Sequence, residues 1–191
     1  MAFSINPGIW PVMITPWTED NKPDYKAIKG LVDWYVEKGC AGIFAMCQSS
    51  EMAFLTPQEK LDIAKATADA VDGRIQVVAS GHTADDKATQ FKEIEDMMQI
   101  KGIGAYVLVS NRLDQKNEGE AVFEANAQEI FDRYPEIDFG IYECPMPWKR
   151  LVSTEFLRHA GEEGRMVFLK DTCCDYELVR ERQAAVEGTP L

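Results

Sequence analysis

Short apolar runs alternate with longer amphipathic stretches along the whole chain. Six runs have the continuous apolar character of strands that are covered on both faces. They span residues 8–15, 41–46, 74–80, 105–110, 138–143 and 166–171. Each run is followed by a stretch whose apolar residues recur at helical spacing. Strand-then-helix units that repeat about every thirty residues predict a parallel sheet with helices packed against it.

Several amphipathic stretches begin with residues that favour helix starts. The first helix is predicted over residues 24–38. Thr56 and Pro57 predict the start of the second, because a hydroxyl cap is followed by a proline at the first helical position, with Glu59 at the third. The remaining helices are predicted over about 84–100, 119–134 and 175–187 and from Ser153–Thr154 onward, with a polar loop between residue 110 and the helix at 119.

The pattern is not interrupted by a linker or a low-complexity segment, so residues 1–191 are predicted to form a single domain. Two architectures fit strand-then-helix units of this kind. One is an open doubly wound sheet, and the other is a (β/α)8 barrel, which normally takes about 250 residues. Open nucleotide-binding sheets carry a glycine-rich loop after the first strand, whereas this chain has TPWTEDNKPD there.

The charge balance argues against two classes of partner. The chain has 20 Lys+Arg against 32 Asp+Glu, a formal net charge of -12. That charge repels nucleic-acid phosphates and anionic lipid, and no basic cluster offsets it. The apolar runs are too short to span a bilayer, and the N-terminal residues lack the pattern of a signal peptide. We therefore expect a cytoplasmic protein that binds neither nucleic acid nor membrane.

The cysteines favour free thiols over crosslinks. The chain contains Cys40, Cys47, Cys144, Cys173 and Cys174, an odd number without a CxxC pair. This argues against a disulfide framework and a structural zinc site, and predicts mostly buried thiols in a reducing compartment. No HExxH or closely spaced ligand pair points to another metal, so no metal or other cofactor is predicted. The adjacent pair at 173–174 is expected to be passive.

Two side chains at strand ends are candidates for chemistry. In either architecture the carboxyl ends of the strands form the functional face. Lys170 closes an apolar run there, and desolvation disfavours an ammonium group, which is the condition for an amine nucleophile. Tyr142 ends the preceding strand, about 4.8 Å away, where its phenol could move protons. The alternatives are a lysine that reaches solvent or pairs with Asp171, and a tyrosine bonded to a backbone carbonyl.

A polar loop after the second run is a candidate anion site. Gln48, Ser49 and Ser50 follow that run directly. Hydroxyl groups and exposed backbone N–H groups can hold a carboxylate without a full counter-charge. The alternative is an ordinary loop that leads into the next helix.

With these residues in view, the chain resembles the dihydrodipicolinate synthase and N-acetylneuraminate lyase family of pyruvate-dependent class I aldolases. Five short motifs in the right order support the resemblance. They are Gly8…Thr15-Pro16, Asp33-Trp34-Tyr35…Lys38-Gly39…Gly42, Ser49-Ser50-Glu51…Leu55-Thr56…Glu59, Tyr142…Pro145 and Leu169-Lys170-Asp171-Thr172.

The resemblance implies a (β/α)8 TIM barrel and a division of roles within its site. Lys170 would condense with the ketone of pyruvate or a related 2-oxo acid. Tyr142 would relay protons, and Ser49, Ser50 and Gln48 would hold the substrate carboxylate. An imine makes the adjacent carbon an electron sink, so a C–C bond can be broken or formed without a metal. A homo-oligomer, either a tetramer or a dimer, is also implied.

Several positions depart from the family pattern. Ser110 is close to where dihydrodipicolinate synthases have a second relay tyrosine, and Glu143 replaces an asparagine. Pro147 replaces an arginine that binds the second substrate, although Lys149 and Arg150 are near enough to substitute for it. These departures favour an aldolase or lyase that acts on a different 2-oxo acid over dihydrodipicolinate synthesis.

The length is a further departure. The chain ends where a seventh strand is expected, so the resemblance implies a barrel truncated after the sixth strand–helix unit. The enzymatic hypothesis therefore has an alternative, a non-catalytic truncated homologue that binds a 2-oxo acid or a partner chain.

Overall fold

The structure is a computed structural model that describes residues 3–191. Within this range five strands form one sheet in chain order, and the pairs with a defined register are parallel. The strands are β1 Gly42–Ala45, β2 Gln76–Ala79, β3 Ala105–Val109, β4 Phe139–Tyr142 and β5 Met166–Lys170. The helices are α1 Tyr25–Glu37, α2 Pro57–Val71, α3 Lys87–Met98, α4 Ser110–Leu113, α5 Glu120–Arg133, α6 Thr154–Glu162 and α7 Tyr176–Ala185. The predicted alternation of strands and helices is confirmed.

The backbone divides into two compact units. The first comprises residues 6–106, and the second comprises residues 3–5 together with Val107–Leu191. The boundary falls within β3. The single domain expected over residues 1–191 stays a prediction.

The helix starts follow the capping residues of the sequence. Side chains of Asp24, Thr56, Asp86, Ser153 and Asp175 each accept a hydrogen bond from the first turn of the helix that follows. At α2 the exchange is reciprocal, because the carboxylate of Glu59 also accepts a hydrogen bond from the Thr56 backbone N–H at 2.8 Å. These bonds satisfy N–H groups that have no partner inside the helix.

The predicted first strand over residues 8–15 is wrong for most of its length. Only Val12 forms a bridge, to Phe44 of β1. The bridge has two backbone bonds, from the Met13 N–H to the Phe44 carbonyl at 2.9 Å and from the Phe44 N–H to the Pro11 carbonyl at 3.0 Å. A proline cannot donate to a ladder, so Pro11 interrupts the pairing. Ile14, which the pattern assigned to this strand, is half exposed at 51%.

The polar loop predicted between residue 110 and the helix at 119 is present over residues 114–119, but the prediction is wrong for the residues before them, where the short helix α4 forms. Contacts distant in sequence stabilise it: the side chain of Asn126 donates a hydrogen bond to the Leu113 carbonyl at 2.7 Å. Asp114 follows the helix and accepts bonds from the N–H groups of Glu118 and Gly119, at 2.8 and 3.1 Å. A single helical turn is unstable alone, so these contacts explain why a local pattern missed it.

A buried ion pair anchors the segment after β2 in the first unit. The ammonium group of Lys60, whose side chain is 6% exposed, lies 3.0 Å from a carboxylate oxygen of Glu93. It also donates to the Gly81 carbonyl at 3.1 Å and to the Thr83 hydroxyl at 2.5 Å. All three ammonium hydrogens therefore have partners.

Within residues 3–191, no helix combines the length and apolar character needed to cross a bilayer.

Replacing Gly42 in β1 with alanine should destabilise the fold. A Cβ atom there would lie 2.3 Å from ring carbons of Trp10, so the indole must shift. We expect Gly42→Ala to lower the free energy of unfolding by about 1–3 kcal/mol, measured by denaturant titration. Gly30→Ala in α1 is the matched control, because a Cβ atom there would meet nothing within 4 Å beyond its chain neighbours and the backbone of its own helix. The control should be stabilised by about 0.5–1 kcal/mol. Equal effects of the two variants would contradict the steric argument.

Candidate active site

Lys170 and Tyr142 lie opposite each other at the carboxyl ends of β5 and β4. Their Cα atoms are register partners, and the next backbone bond runs from the Glu143 N–H to the Lys170 carbonyl at 3.2 Å. The ammonium nitrogen of Lys170 lies 4.2 Å from the centroid of the Tyr142 ring. The tyrosine is buried, with 3% of its surface exposed, and the lysine is half-buried. The electron-rich face of a phenol ring attracts an ammonium group, so this contact holds the lysine nitrogen beside the tyrosine.

An irregularity in the register produces this pairing. Phe139 pairs with Met166, but Gly140 pairs with Phe168, so Val167 is an extra residue on β5. Without the extra residue, Leu169 would lie opposite Tyr142. Such bulges change the direction of the side chains that follow them. The apolar pattern of β5 gave no signal for this bulge.

Gly140 permits the close approach at the bulge. A Cβ atom there would lie 3.0 Å from both the Cβ and the carbonyl oxygen of Phe168. This distance is tighter than nine in ten real Cβ contacts, so a side chain at position 140 would require Phe168 to shift by a few tenths of an ångström. The absence of a side chain at Gly140 is therefore part of how Lys170 is positioned.

A buried charge network fixes the backbone immediately beyond these two residues. Glu143, directly after Tyr142, is fully buried, and its carboxylate lies 2.7 Å from the guanidinium of Arg182 in α7. The same carboxylate accepts hydrogen bonds from the N–H groups of Val152 at 2.8 Å and Thr172 at 2.9 Å. Arg182 also contacts the carboxylate of Asp171, directly after Lys170. We call Glu143, Arg182 and Asp171 the brace.

The charges of the brace support one another. Burial on its own lowers the pKa of Arg182, but hydrogen bonds to Glu143 and Asp171 outweigh it and raise that pKa above its ordinary value. The pKa of Asp171 is lowered. Burial is the largest single effect and by itself would raise this pKa, but the hydrogen bonds from Cys173 and Arg182 together outweigh burial. Both groups therefore remain charged near neutral pH.

Asn111 and Ser110 fix the segment that follows β4. The amide nitrogen of Asn111 lies within hydrogen-bond distance of three carbonyls of that segment, those of Cys144 at 2.9 Å, Met146 at 2.9 Å and Trp148 at 2.6 Å, which share its two hydrogens. The hydroxyl of Ser110 donates to the Arg150 carbonyl at 2.7 Å. The sequence did not predict these roles, because the bonds join residues more than thirty positions apart.

The two cations near Pro147 have different surroundings. Arg150 is buried and is paired with Glu120 at 2.8 Å and Asp114 at 3.5 Å, so its charge is already neutralised inside the unit. Lys149 is exposed, and its ammonium group donates to the Thr172 carbonyl at 2.6 Å. Of the two, Lys149 is therefore the one accessible to a ligand.

The predicted carboxylate loop forms a short 3-10 turn over Gln48–Ser50 in the first unit. Ser50 is fully buried, and its hydroxyl donates to the Met13 carbonyl at 2.6 Å and accepts from the Cys47 N–H at 3.1 Å. Its hydroxyl therefore holds the turn in place. Ser49 is exposed and Gln48 is half-buried. A site shared by this turn with Lys170 and Tyr142 of the second unit stays a prediction.

Chains of known structure share this fold. A dihydrodipicolinate synthase from Acinetobacter baumannii, solved in complex with pyruvate, is 21% identical with a TM-score of 0.82 and is matched over 95% of this chain and 60% of its own. A sialic acid aldolase from Ruminococcus gnavus, a catalytic lysine mutant, is 13% identical with a TM-score of 0.80 over 95% of this chain and 58% of its own. The fold class is therefore that of a (β/α)8 barrel, of which this chain spans about three fifths.

The sequence comparisons give the family. The profile of the dihydrodipicolinate synthetase family matches residues 6–117. A 4-hydroxy-tetrahydrodipicolinate synthase from Methanococcus maripaludis is 30% identical over 97 residues, which are 50% of this chain and 33% of that protein. The chain belongs to the dihydrodipicolinate synthetase family. The resemblance stated from the sequence motifs is confirmed.

Removing the cation of the brace should destabilise the chain strongly. Arg182→Met leaves the carboxylate of Glu143 buried without its counter-charge, which typically costs about 3–5 kcal/mol. Arg180→Met on the same helix is the matched control, because Arg180 is 62% exposed and its contacts, an ion pair with Glu177 and a position over the Tyr176 ring, are with exposed residues. Its cost should be about 0.5 kcal/mol or less. Chemical denaturation of both variants measures the difference, and equal losses would contradict a structural role for the brace.

The lowered pKa of Asp171 predicts a pH dependence of stability. A carboxyl group whose pKa is lower in the folded state than its ordinary value of 3.8 stabilises the fold above that value. The stabilisation is lost as the pH falls through the folded-state pKa. We therefore expect the difference in unfolding free energy between wild type and Asp171→Asn to be constant from about pH 5 to 7 and to shrink below about pH 4. A difference that does not change with pH would contradict this contribution.

Proposed function

We propose that this chain acts as a class I aldolase or lyase, in which Lys170 forms an imine with pyruvate or a related 2-oxo acid. The observation that supports the proposal most is the bulge-dependent pairing of Lys170 with Tyr142, with the lysine nitrogen 4.2 Å from the ring centroid. Membership of the dihydrodipicolinate synthetase family supports the reaction class. The pyruvate complex of the Acinetobacter relative supports a 2-oxo acid as the ligand.

The reaction begins with loss of a proton from the lysine ammonium group. The neutral amine attacks the ketone carbon, a C–N bond forms, and the resulting carbinolamine loses water to give the imine. The protonated imine withdraws electrons from the neighbouring carbon. A C–C bond at that carbon can then break, with its electron pair held as an enamine, or form in the reverse direction.

Tyr142 moves protons in this scheme. Formation of the carbinolamine requires a proton at the former ketone oxygen, and loss of water requires a second. A phenol held beside the reacting nitrogen can supply and recover these protons, as a positioned general acid and base. The brace keeps the two strand ends aligned, because Glu143 and Asp171 directly follow the two reacting residues.

The carboxylate of the substrate is assigned to the turn at Gln48–Ser50. Ser49 supplies an exposed hydroxyl, Gln48 a side-chain amide, and Ser50 acts through the geometry of the turn, because its own hydroxyl is engaged in the interior. Hydroxyl and amide donors suit a carboxylate. The expected homo-oligomer and cytoplasmic location belong to this proposal as properties implied by the family resemblance.

The second reactant is proposed to differ from that of dihydrodipicolinate synthases. Ser110 and Pro147 replace the tyrosine and arginine expected there, and the Ser110 hydroxyl is bonded to the Arg150 carbonyl. Arg150 is neutralised by its own acidic partners. Lys149 remains as the cation that could bind an acidic group of the second reactant.

Reductive trapping tests the imine. The chain is incubated with pyruvate and borohydride, and the intact mass and peptide map are recorded. We expect the mass of one reduced pyruvate on Lys170, none on Lys170→Met, and trapping slowed about a hundredfold or more in Tyr142→Phe. Lys65→Met is the matched control, because Lys65 is an exposed lysine paired along its own helix, and it should trap pyruvate as the wild type does.

Two outcomes would contradict the proposal. An adduct on another lysine, such as Lys149, would remove Lys170 as the nucleophile. No adduct with pyruvate or other 2-oxo acids, combined with thermal stabilisation by the same acids, would favour a non-catalytic binding protein.

A further inference from the structure

Two of the five cysteines are accessible to solvent, and they are neighbours. Cys40, Cys47 and Cys144 are buried, whereas Cys173 is half-buried and Cys174 is exposed. The pair begins three positions after Lys170, in the segment between β5 and α7. Neither thiol has a role in the proposed reaction. Their accessibility distinguishes them from the buried thiols that the sequence predicted.

Both cysteines are connected to the brace and to the start of α7. The N–H of Cys173 donates to the carboxylate of Asp171 at 2.7 Å, and the Cys173 sulfur accepts a bond from the Asp175 N–H at 3.4 Å. Asp175 in turn caps α7 by accepting bonds from the N–H groups of Glu177 and Leu178. The Cys174 sulfur donates to the Thr172 carbonyl at 3.6 Å. A change at the sulfurs therefore affects the helix that carries Arg182.

The surroundings give the two thiols different tendencies. A hydrogen bond to the Asp171 carboxylate is the largest effect that raises the pKa of the Cys173 thiol, so this sulfur is protonated at neutral pH. Cys174 is exposed, and its backbone has a φ of 59°, a left-handed conformation that is uncommon for a residue with a side chain. Because Cys174 is the more accessible sulfur, it is the first to meet a soluble oxidant.

We propose that Cys173 and Cys174 form a peroxide-sensitive thiol pair, whose oxidation to a vicinal disulfide loosens the start of α7 and weakens the brace beside Lys170. The Cys174 thiolate attacks one oxygen of hydrogen peroxide, so an S–O bond forms, the O–O bond breaks, and the other oxygen leaves as water after protonation. The Cys173 sulfur then attacks the Cys174 sulfur. An S–S bond forms, the S–O bond breaks, and the hydroxyl leaves with the thiol proton as a second water. Two thiols lose two electrons, and one peroxide is reduced to two waters.

The disulfide should be readily reversible. Neighbouring Cα atoms are about 3.8 Å apart, whereas disulfide-bonded cysteines usually have Cα atoms about 4.4–6.8 Å apart. A crosslink between neighbours is therefore strained, and strained disulfides are the easily reduced ones. Forming it also withdraws the Cys173 sulfur from the Asp175 N–H, so the cap of α7 loses a contact.

Thiol mapping of the full chain tests the pair. Reduced protein is treated with hydrogen peroxide, alkylated with N-ethylmaleimide, digested and analysed by mass spectrometry. We expect the peptide containing residues 173–174 to lose two hydrogens and to regain them with dithiothreitol, while the three buried cysteines stay reduced. Cys173→Ser should stop at a sulfenic acid on Cys174 that dimedone traps, and Cys174→Ser should not form the disulfide. Sulfinic acid as the main product, or a disulfide between two chains, would overturn the proposal of a vicinal disulfide between Cys173 and Cys174.

Hydrogen exchange tests the connection to α7. In the oxidised chain, amides at the start of α7 should exchange about tenfold faster or more, while those of α2 in the first unit should be unchanged. If the disulfide forms and hydrogen exchange in α7 is unchanged, the proposal that oxidation loosens the start of α7 is overturned.

The effect on pyruvate trapping rests on the proposed function, and the design separates the two. Peroxide should slow trapping about tenfold or more in the wild type and leave Cys174→Ser unaffected. If the disulfide forms and loosens α7 but even the reduced chain never traps pyruvate, the proposed function fails and the thiol pair stands.

Discussion

The guanidinium of Arg182 is the group on which the second unit depends most. It is almost completely buried, and burial of a cation costs several kcal/mol unless its partners are all in place. Those partners come from three separate parts of the chain: Glu143 after β4, Asp171 after β5 and the Val152 carbonyl before α6. Because one side chain must satisfy all three, these segments adopt their positions together. The reacting residues of the proposed mechanism each directly precede one of the acidic partners.

The bulge and the brace solve different parts of one geometric problem. Side chains alternate along a strand, so a shift of one residue decides whether a lysine or a leucine faces Tyr142. The extra residue, Val167, places the lysine opposite Tyr142, and the absence of a side chain at Gly140 leaves room for Phe168 at the bulge. The brace then holds the residues directly after the two strand ends through ion pairs with Arg182. The bulge therefore determines the position of Lys170 along β5, and the brace determines how firmly the residues after the strand are held.

Much of the fold could be predicted because local rules decide it. The start of α2 follows from Thr56, Pro57 and Glu59, which lie within four residues of one another and interact as a capping box should. The prediction of a strand over residues 8–15 failed because an apolar pattern does not show that Pro11 lacks a backbone N–H. The short helix α4 was not predicted because its stability depends on a hydrogen bond from Asn126, thirteen positions later.

The candidate site divides in the same way. Lys170 and Tyr142 could be chosen because strand ends and residue type are visible in the sequence. Their alignment could not be, because a bulge on β5 leaves no periodic trace in a run of only five residues. The importance of Arg182 was also hidden, since its carboxylate partner lies 39 positions earlier in the chain. Contacts at that separation depend on tertiary packing, which no short motif contains.

The ion pair between Lys60 and Glu93 has a consequence for how this sequence can diverge. Replacing either residue alone leaves a buried charge without its counter-charge, whereas replacing both with apolar residues of similar size is often neutral. Single substitutions at these two positions are therefore poorly tolerated steps, although the double substitution need not be. Homologous chains should separate into lineages that keep the pair and lineages that have lost both members. The pair would then persist because each single substitution that could remove it is destabilising, whatever the net contribution of the pair to the free energy of folding.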